Sequence, residues 1–291
     1  MFDFFKKIFE TKPKLEIKDK KKVELNFWVD RSWRTSQTSI LKTCKQLNVA
    51  RLGLFVNGLE THPFKVGNNF YRPFESDLRM CKDIEVYLNN GIKVDLTTWI
   101  YPHKKYAQEM LDYTLGIIGK FGRGDVRLDL DSESCWSTKF GNSDSRKEVS
   151  KIIYDRIEPK LVSINDYCTL QNQTESLIVP GCRIRPQAYS VGWVVRGGEK
   201  VYTKPNSIYY PGNTQKVSMG KNYWGQYKDS NILEFGLSAY KPVQGLTIQQ
   251  QVRLQISEAL KYNPTEIWFW QWNGLSTDYI NSIKTTFDTI K

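Results

Sequence analysis

Eight short apolar runs recur between residues 23 and 291, and stretches with helical periodicity separate them. Strand-length runs alternating with amphipathic helices are the mark of βαβ units around a parallel sheet. The runs are Val23–Asp30, Arg51–Asn57, Lys93–Tyr101, the acidic stretch Arg127-Leu128-Asp129-Leu130-Asp131-Ser132-Glu133, Lys160–Asn165, Cys182–Ser190, Ile232–Tyr240 and Glu266–Trp272. Helical patterns follow over Thr35–Leu47, Pro73–Asn90, Lys104–Lys120 and Ser145–Ile157, then in short pieces near Leu170–Val179 and Thr214–Tyr227, then over Thr247–Lys261 and Thr277–Ile290. Pro73 near the start of the second and Gly91 just past its end occupy the positions those residues favour. Eight strands and about eight helices in alternation predict a single-domain (β/α)8 TIM barrel over residues 23–291.

The acidic run sets the chemistry. Side chains alternate across a strand, so Asp129, Asp131 and Glu133 are expected on one face, about 6.5–7 Å apart. Like charges crowded on a buried surface raise at least one pKa, which is how a general acid is made near neutral pH. Other chemistries have little material. The five cysteines are scattered and never in C-x-x-C spacing, and His62 and His103 are the only histidines, so no metal site, disulfide framework or Ser-His-Asp triad is suggested. No cofactor is called for.

Barrel enzymes work at the C-terminal ends of their strands. That rule gathers Asp30, Asn57, Trp99, Tyr101, Asp131, Glu133, Gln187, Tyr189, Tyr240, Gln271 and Trp272, with Trp136 and Trp270 close by. Flat aromatics with acids and amides suit a carbohydrate cleft.

The D-x-D-x-E of Asp129, Asp131 and Glu133 resembles the end of the D-x-x-D-x-D-x-E signature of glycoside hydrolase family 18, the chitinase-like barrels. Gln187-Ala188-Tyr189 is similar to that family's strand-six tyrosine region, and a tryptophan on strand eight also fits. Glycoside hydrolase family 25, the lysozyme-like barrels, is similar through an acid on strand one, here Asp30, and D-x-E on strand four, here Asp131 and Glu133. Two positions depart from family 18: Val126 stands at the first acid of the signature, and strand three ends in Thr97-Thr98-Trp99 instead of S-x-G-G. The resemblance implies a hydrolase cleaving a β-1,4 bond beside an N-acetylated sugar; the two departures, the lysine-rich character, the lack of a signal-peptide pattern and the N-terminal helix favour peptidoglycan over chitin and a phage or bacterial cell-wall setting. The resemblance also implies Glu133 as general acid, Asp131 as partner of a substrate 2-acetamido nucleophile, Asp129 as holder of Asp131's proton, and Tyr189 as a donor to the acetamido oxygen. Asp30, Trp99, Tyr101, Trp136, Gln187, Tyr240, Trp270, Gln271 and Trp272 would line the sugar site. The alternative is a non-catalytic barrel that binds glycan or serves structurally in a virion.

Phe2, Phe4, Phe5, Ile8 and Phe9 against Asp3, Lys6, Lys7 and Glu10 predict an amphipathic helix over residues 1–10, joined by a lysine-rich linker to residue 22. That helix is a candidate for docking on a protein or membrane. A formal net charge of +11 favours an anionic partner such as a cell-wall polymer. No nucleic-acid-binding signature occurs, and no specific nucleic-acid partner is expected. The sequence shows no signal-peptide pattern and no 18-residue apolar run, so synthesis in the cytoplasm, with release by lysis or virion association, is expected.

Overall fold

The structure is a computed structural model that describes residues 23–29, 36–58, 70–122, 124–136, 140–167, 170, 174–189, 193–196, 199–202, 223–239, 246–270, 272 and 275–290. The expected helix at 1–10 and its linker lie outside the described residues.

The barrel strands are β1 Glu24–Val29, β2 Arg51–Phe55, β3 Lys93–Trp99, β4 Val126–Asp131, β5 Val162–Tyr167 and β6 Arg183–Gln187, then β9 Ile232–Ser238 and β10 Glu266–Trp270. They close in the order β1-β10-β9-β6-β5-β4-β3-β2, every pair parallel. Six α-helices follow strands among the described residues: α1 Gln37–Leu47, α2 Asp77–Leu88, α3 Lys104–Ile118, α4 Ser143–Tyr154, α5 Ile248–Leu260 and α6 Thr277–Ile290. Sequence and structure differ after β5 and β6. Among the described residues the helix expected near Leu170–Val179 is a single 3₁₀ turn, Thr174–Leu177, and after β6 comes an antiparallel pair of strands, β7 Trp193–Arg196 with β8 Glu199–Tyr202. The piece expected near Thr214–Tyr227 is represented by a 3₁₀ turn at Trp224–Tyr227, its earlier part lying outside the described residues.

Alternation along each strand sorts two cores. Phe27 of β1 and Phe269 of β10 stack at 5.7 Å in the layer under the helices, together with Leu52, Leu96, Leu128, Ile164 and Leu237. The opposite phase points into the barrel, and there the usual branched aliphatic layers give way to ions. Arg51, Arg127, Arg183 and Arg185 meet Asp95, Asp129, Glu234 and Glu266. Arg127 spans two acids, with Nε 2.8 Å from Asp95 Oδ1 and Nη1 2.9 Å from Glu266 Oε1. Arg183 joins Glu234 to Glu266. Burial pushes the Asp95 and Glu266 carboxyls upward, but the arginines beside them more than reverse this: Asp95 is held well below the usual carboxylate range and Glu266 falls to about 2. Buried charges survive only when paired and hydrogen-bonded.

Above the ions lies Trp28 of β1, fully buried, its indole reaching across the barrel. A Cβ at Gly53 of β2 would stand 2.5 Å from Trp28 Cδ1, and one at Gly236 of β9 would stand 3.0 Å from Cη2. Both flanking positions must lack a side chain for the indole to lie flat.

Removing one member of the ion layer strands its partners. Arg127→Met is expected to lower unfolding free energy by about 3–5 kcal/mol, read by urea denaturation at pH 7. The Asp95 and Glu266 pKa values are depressed in the fold, so their contribution is complete above the unfolded carboxylate range and is lost as pH falls from about 4 toward 2. Wild-type stability measured across that window should drop steeply.

Candidate active site

β4 carries Asp129 and Asp131 inward, both buried. The strand stops at Asp131, so three acids do not share one strand face as expected. Glu133 opens a 3₁₀ turn, Glu133–Trp136, with φ of 24°. Positive φ in a residue other than glycine is uncommon and costs on the order of 1–3 kcal/mol, and such strain gathers at functional sites. Here it is held from behind. The Ser132 backbone N–H donates to the Asn165 carbonyl at 2.9 Å, and Ser132 Oγ donates to the same carbonyl at 3.1 Å. Ser132 Oγ also meets Thr174 Oγ1 at 3.3 Å, and Thr174 in turn donates to the buried Asp166. The turn therefore sends Glu133 back toward the barrel mouth.

Each acid has a different surrounding. Asp129 Oδ2 accepts from Trp28 Nε1 at 3.0 Å and Thr97 Oγ1 at 2.9 Å, and Arg185 Nη1 stands 2.9 Å from it. Burial raises the Asp129 pKa and Arg185 pulls it back, leaving it at about 6. Among the described residues no cation pairs with Asp131: burial first, then Glu133, Asp129 and Asp166, push its carboxyl well above the usual range against a hydrogen bond from Trp99. Its Oδ1 is buried without a hydrogen-bond partner, as is Oδ1 of Asp129. Glu133 is half-buried; burial raises its pKa, while donors from Gln187 and Tyr167 oppose the rise. Gln187 Nε2 lies 2.8 Å from Glu133 Oε1 and 3.0 Å from Asn165 Oδ1. Burial and the neighbouring acids thus favour the protonated form of Asp131, while Arg185 favours the anion at Asp129.

Aromatic walls flank the acids. Trp99, the last residue of β3, pairs in register with Asp131 and is half-buried. It is set by Asn57, whose Oδ1 accepts from Trp99 N at 2.9 Å and Thr98 Oγ1 at 3.0 Å. Trp270, the last residue of β10, is half-buried and meets Phe55 at 5.2 Å and Trp28 at 6.3 Å edge to face. Phe55, Phe74, Trp99 and Trp270 form one aromatic cluster with Trp28 and Trp268.

Of the remaining expected residues, Tyr189 is half-buried two positions beyond β6. Three expected sugar contacts lie elsewhere. Trp136 is fully buried with its Nε1 donating to Ser176 Oγ at 2.9 Å, Trp272 packs edge-on against Phe27 in the outer layer, and Tyr101 packs against Tyr106 and Phe140. Each follows the end of its strand, where alternation no longer governs direction. Asp30, Tyr240 and Gln271 lie outside the described residues. The sequence reading missed Arg185, Trp28, Asn165 and Tyr167 at this site; the inward phase of β1, β5 and β6 was the signal for all four. No cluster of histidine, cysteine or carboxylate suited to a metal occurs among the described residues.

No family model matches the chain, and no curated protein matches it in sequence. Solved structures do match its fold. A chitinase from Rhizomucor miehei superposes with a TM-score of 0.58 at 8% identity, covering 90% of this chain and 99% of that one. The spore cortex-lytic enzyme of Bacillus cereus gives 0.57 at 10% identity, covering 91% and 74%. A glycoside hydrolase family 18 chitinase from Cycas revoluta, a double mutant crystallised with (GlcNAc)4, gives 0.57 at 11% identity, covering 92% and 100%. The barrel thus has the fold of the chitinase-like glycosidases that the acidic signature resembles.

A buried carboxyl kept protonated above its ordinary range weakens the fold once pH exceeds the unfolded value, because the unfolded state then ionises more readily. Asp131→Asn is therefore expected to raise the melting temperature at pH 8 and to change it little at pH 4, with about 2–4 °C gained per kcal/mol. Calorimetry at the two pH values reads this; a lower Tm at pH 8 would contradict the assigned environment.

Proposed function

We propose that the chain is a glycoside hydrolase that cleaves a β-1,4 bond next to an N-acetylated sugar, with peptidoglycan as the polymer. The observation that carries the reading is the arrangement of carboxyls: Asp131 and Glu133 at the end of β4, partly or fully buried, both raised, with Trp99 beside Asp131 and Trp270 in the same aromatic cluster as Trp99. The fold shared with chitinases and a spore cortex-lytic enzyme supports it. The net charge of +11 favours an anionic wall polymer over neutral chitin.

Glu133 is the general acid, giving its proton to the leaving glycosidic oxygen. The substrate's 2-acetamido oxygen attacks the anomeric carbon as that bond breaks, a recognised exception to the two-carboxylate schemes. Asp131 accepts the acetamido N–H on its unpartnered Oδ1 and orients that group, while the Asp129 carboxylate beneath it supplies the charge that stabilises the positive oxazolinium ion. The Glu133 carboxylate then takes a proton from water as the water opens that ring, which restores the acid. Asp129, clamped by Arg185, Trp28 and Thr97, supplies fixed negative charge beneath Asp131. Trp270 gives the sugar ring a flat apolar surface. Tyr189 is the donor assigned to the acetamido oxygen.

Glu133→Gln should reduce turnover of purified peptidoglycan by about 10²–10⁴-fold, followed as reducing ends released, and Asp131→Asn nearly as much with polymer binding retained. Wild-type clearance by the Glu133 variant ends the assignment; binding of peptidoglycan or chitin oligomers without any release of reducing ends favours a non-catalytic glycan-binding barrel.

A further inference from the structure

The reaction just described, on which this inference rests, requires Glu133 to be a carboxylic acid in one half of the cycle and a carboxylate in the other. A carboxylate only accepts hydrogen bonds, whereas a carboxylic acid must also donate one. The groups facing Glu133 are Asp131 from β4, Cys135 from its own turn, Tyr167 from β5 and Gln187 from β6, with Asn165 of β5 behind Gln187 and Asp166 acting on Asp131, Cys135 and Tyr167. The arrangement observed serves the anion: Gln187 Nε2 uses one hydrogen on Glu133 Oε1 at 2.8 Å and points the other at Asn165 Oδ1, 3.0 Å away.

We propose that Gln187 is a positioning residue for Glu133 whose side-chain amide turns over with the carboxyl's protonation state, Asn165 turning with it. In one orientation the Gln187 amine donates to the carboxylate. In the other, Gln187 Oε1 accepts the proton of the carboxylic acid, and Asn165 presents its Nδ2 to the same oxygen. The nitrogen and oxygen of a primary amide have nearly the same size and position, so the exchange needs no backbone movement and keeps the Glu133–Gln187–Asn165 chain of hydrogen bonds intact. Gln187 is buried and joined to both neighbours, and its strand pairs in register with β5, Tyr167 against Gln187, which fixes the stem while the terminal amide rotates. Methionine or leucine at this position fills the space but supports neither state. An acid there holds the proton permanently. Glutamine and asparagine in sequence are the pair that serves both. Gln187 thus acts through Glu133, not as the sugar contact that its place at the end of β6 suggested.

The test reads the contact apart from turnover. Protein labelled with ¹³C at the glutamate δ carbon is titrated by NMR, the Glu133 resonance being the one lost in Glu133→Gln. In Gln187→Met, a near-isosteric change, the Glu133 midpoint should rise by about 1 pH unit, because the hydrogen bond lost from the carboxylate is stronger by about 1.4 kcal/mol than the one lost from the carboxylic acid. The alkaline limb of kcat/KM on peptidoglycan should move up with it, and kcat at the optimum should fall. Gln187→Asn, which withdraws the amide by one methylene, should give the same upward shift and replaces the Met variant if that one does not fold. A Glu133 midpoint within 0.2 units (about 0.3 kcal/mol) of wild type in the folded variant overturns the proposal, as does a kcat/KM profile that only scales downward without moving. If wild type releases no reducing ends, the glycosidase reading fails by itself, and the NMR midpoint still decides whether Gln187 governs Glu133.

Discussion

Arg185 is the residue on which this structure turns. It is fully buried, and its guanidinium reaches Glu234 at 2.6 Å, Asp95 at 2.8 Å and Asp129 at 2.9 Å while lying 3.7 Å over the face of Trp268. A planar fork of fixed donors is suited to such a junction in a way that a lysine ammonium is not. One side of the fork belongs to the ion layer that closes the lower barrel, and the other side ends on Asp129, the first acid of the run on β4. Folding of the interior and ionisation of the site are therefore set by one group. Asp131, two residues on, is pushed upward by burial and by the acids around it.

The architecture was legible in the sequence because period-two alternation in the strands and 3.6-residue periodicity in the helices come from local geometry. All eight expected strands are present, and within them the inward phase is kept to the last paired residue: Asp95, Thr97 and Trp99 on β3, Arg127, Asp129 and Asp131 on β4, Arg183, Arg185 and Gln187 on β6. Beyond that residue, phase stops carrying information. Trp272 continues the count from Trp268 and Trp270 but packs outward on Phe27, and Tyr101 continues from Trp99 but joins the packing around Tyr106. Glu133 also lies past its strand, yet it reaches the site through a turn at positive φ supported by Ser132, Thr174 and Asp166. That support is a tertiary contact between segments more than thirty residues apart, and no local pattern encodes it.

The ion layer was hidden for a related reason. Apart from Asp129, each of its arginines and acids, taken singly in sequence, reads as a solvent-facing residue on a half-exposed strand, because charged side chains are rarely buried unless paired. Only closure of the sheet brings Arg51 of β2, Arg127 of β4, Arg183 and Arg185 of β6, and the acids of β3, β9 and β10 to a common axis. A barrel filled in this way gains directional contacts that branched aliphatics lack, and removal of any one partner penalises the rest.

The flat indole of Trp28 has one more consequence. It roofs a chamber that holds Arg51, Arg127, Arg183 and Arg185 against Asp95, Asp129, Glu234 and Glu266, four cations and four anions. With all eight ionised that chamber is neutral, so the whole formal excess of +11 is carried by the remainder of the chain. The interior is electrically silent at a distance, and the long-range field that an approaching polyanion meets comes from outside the closed sheet.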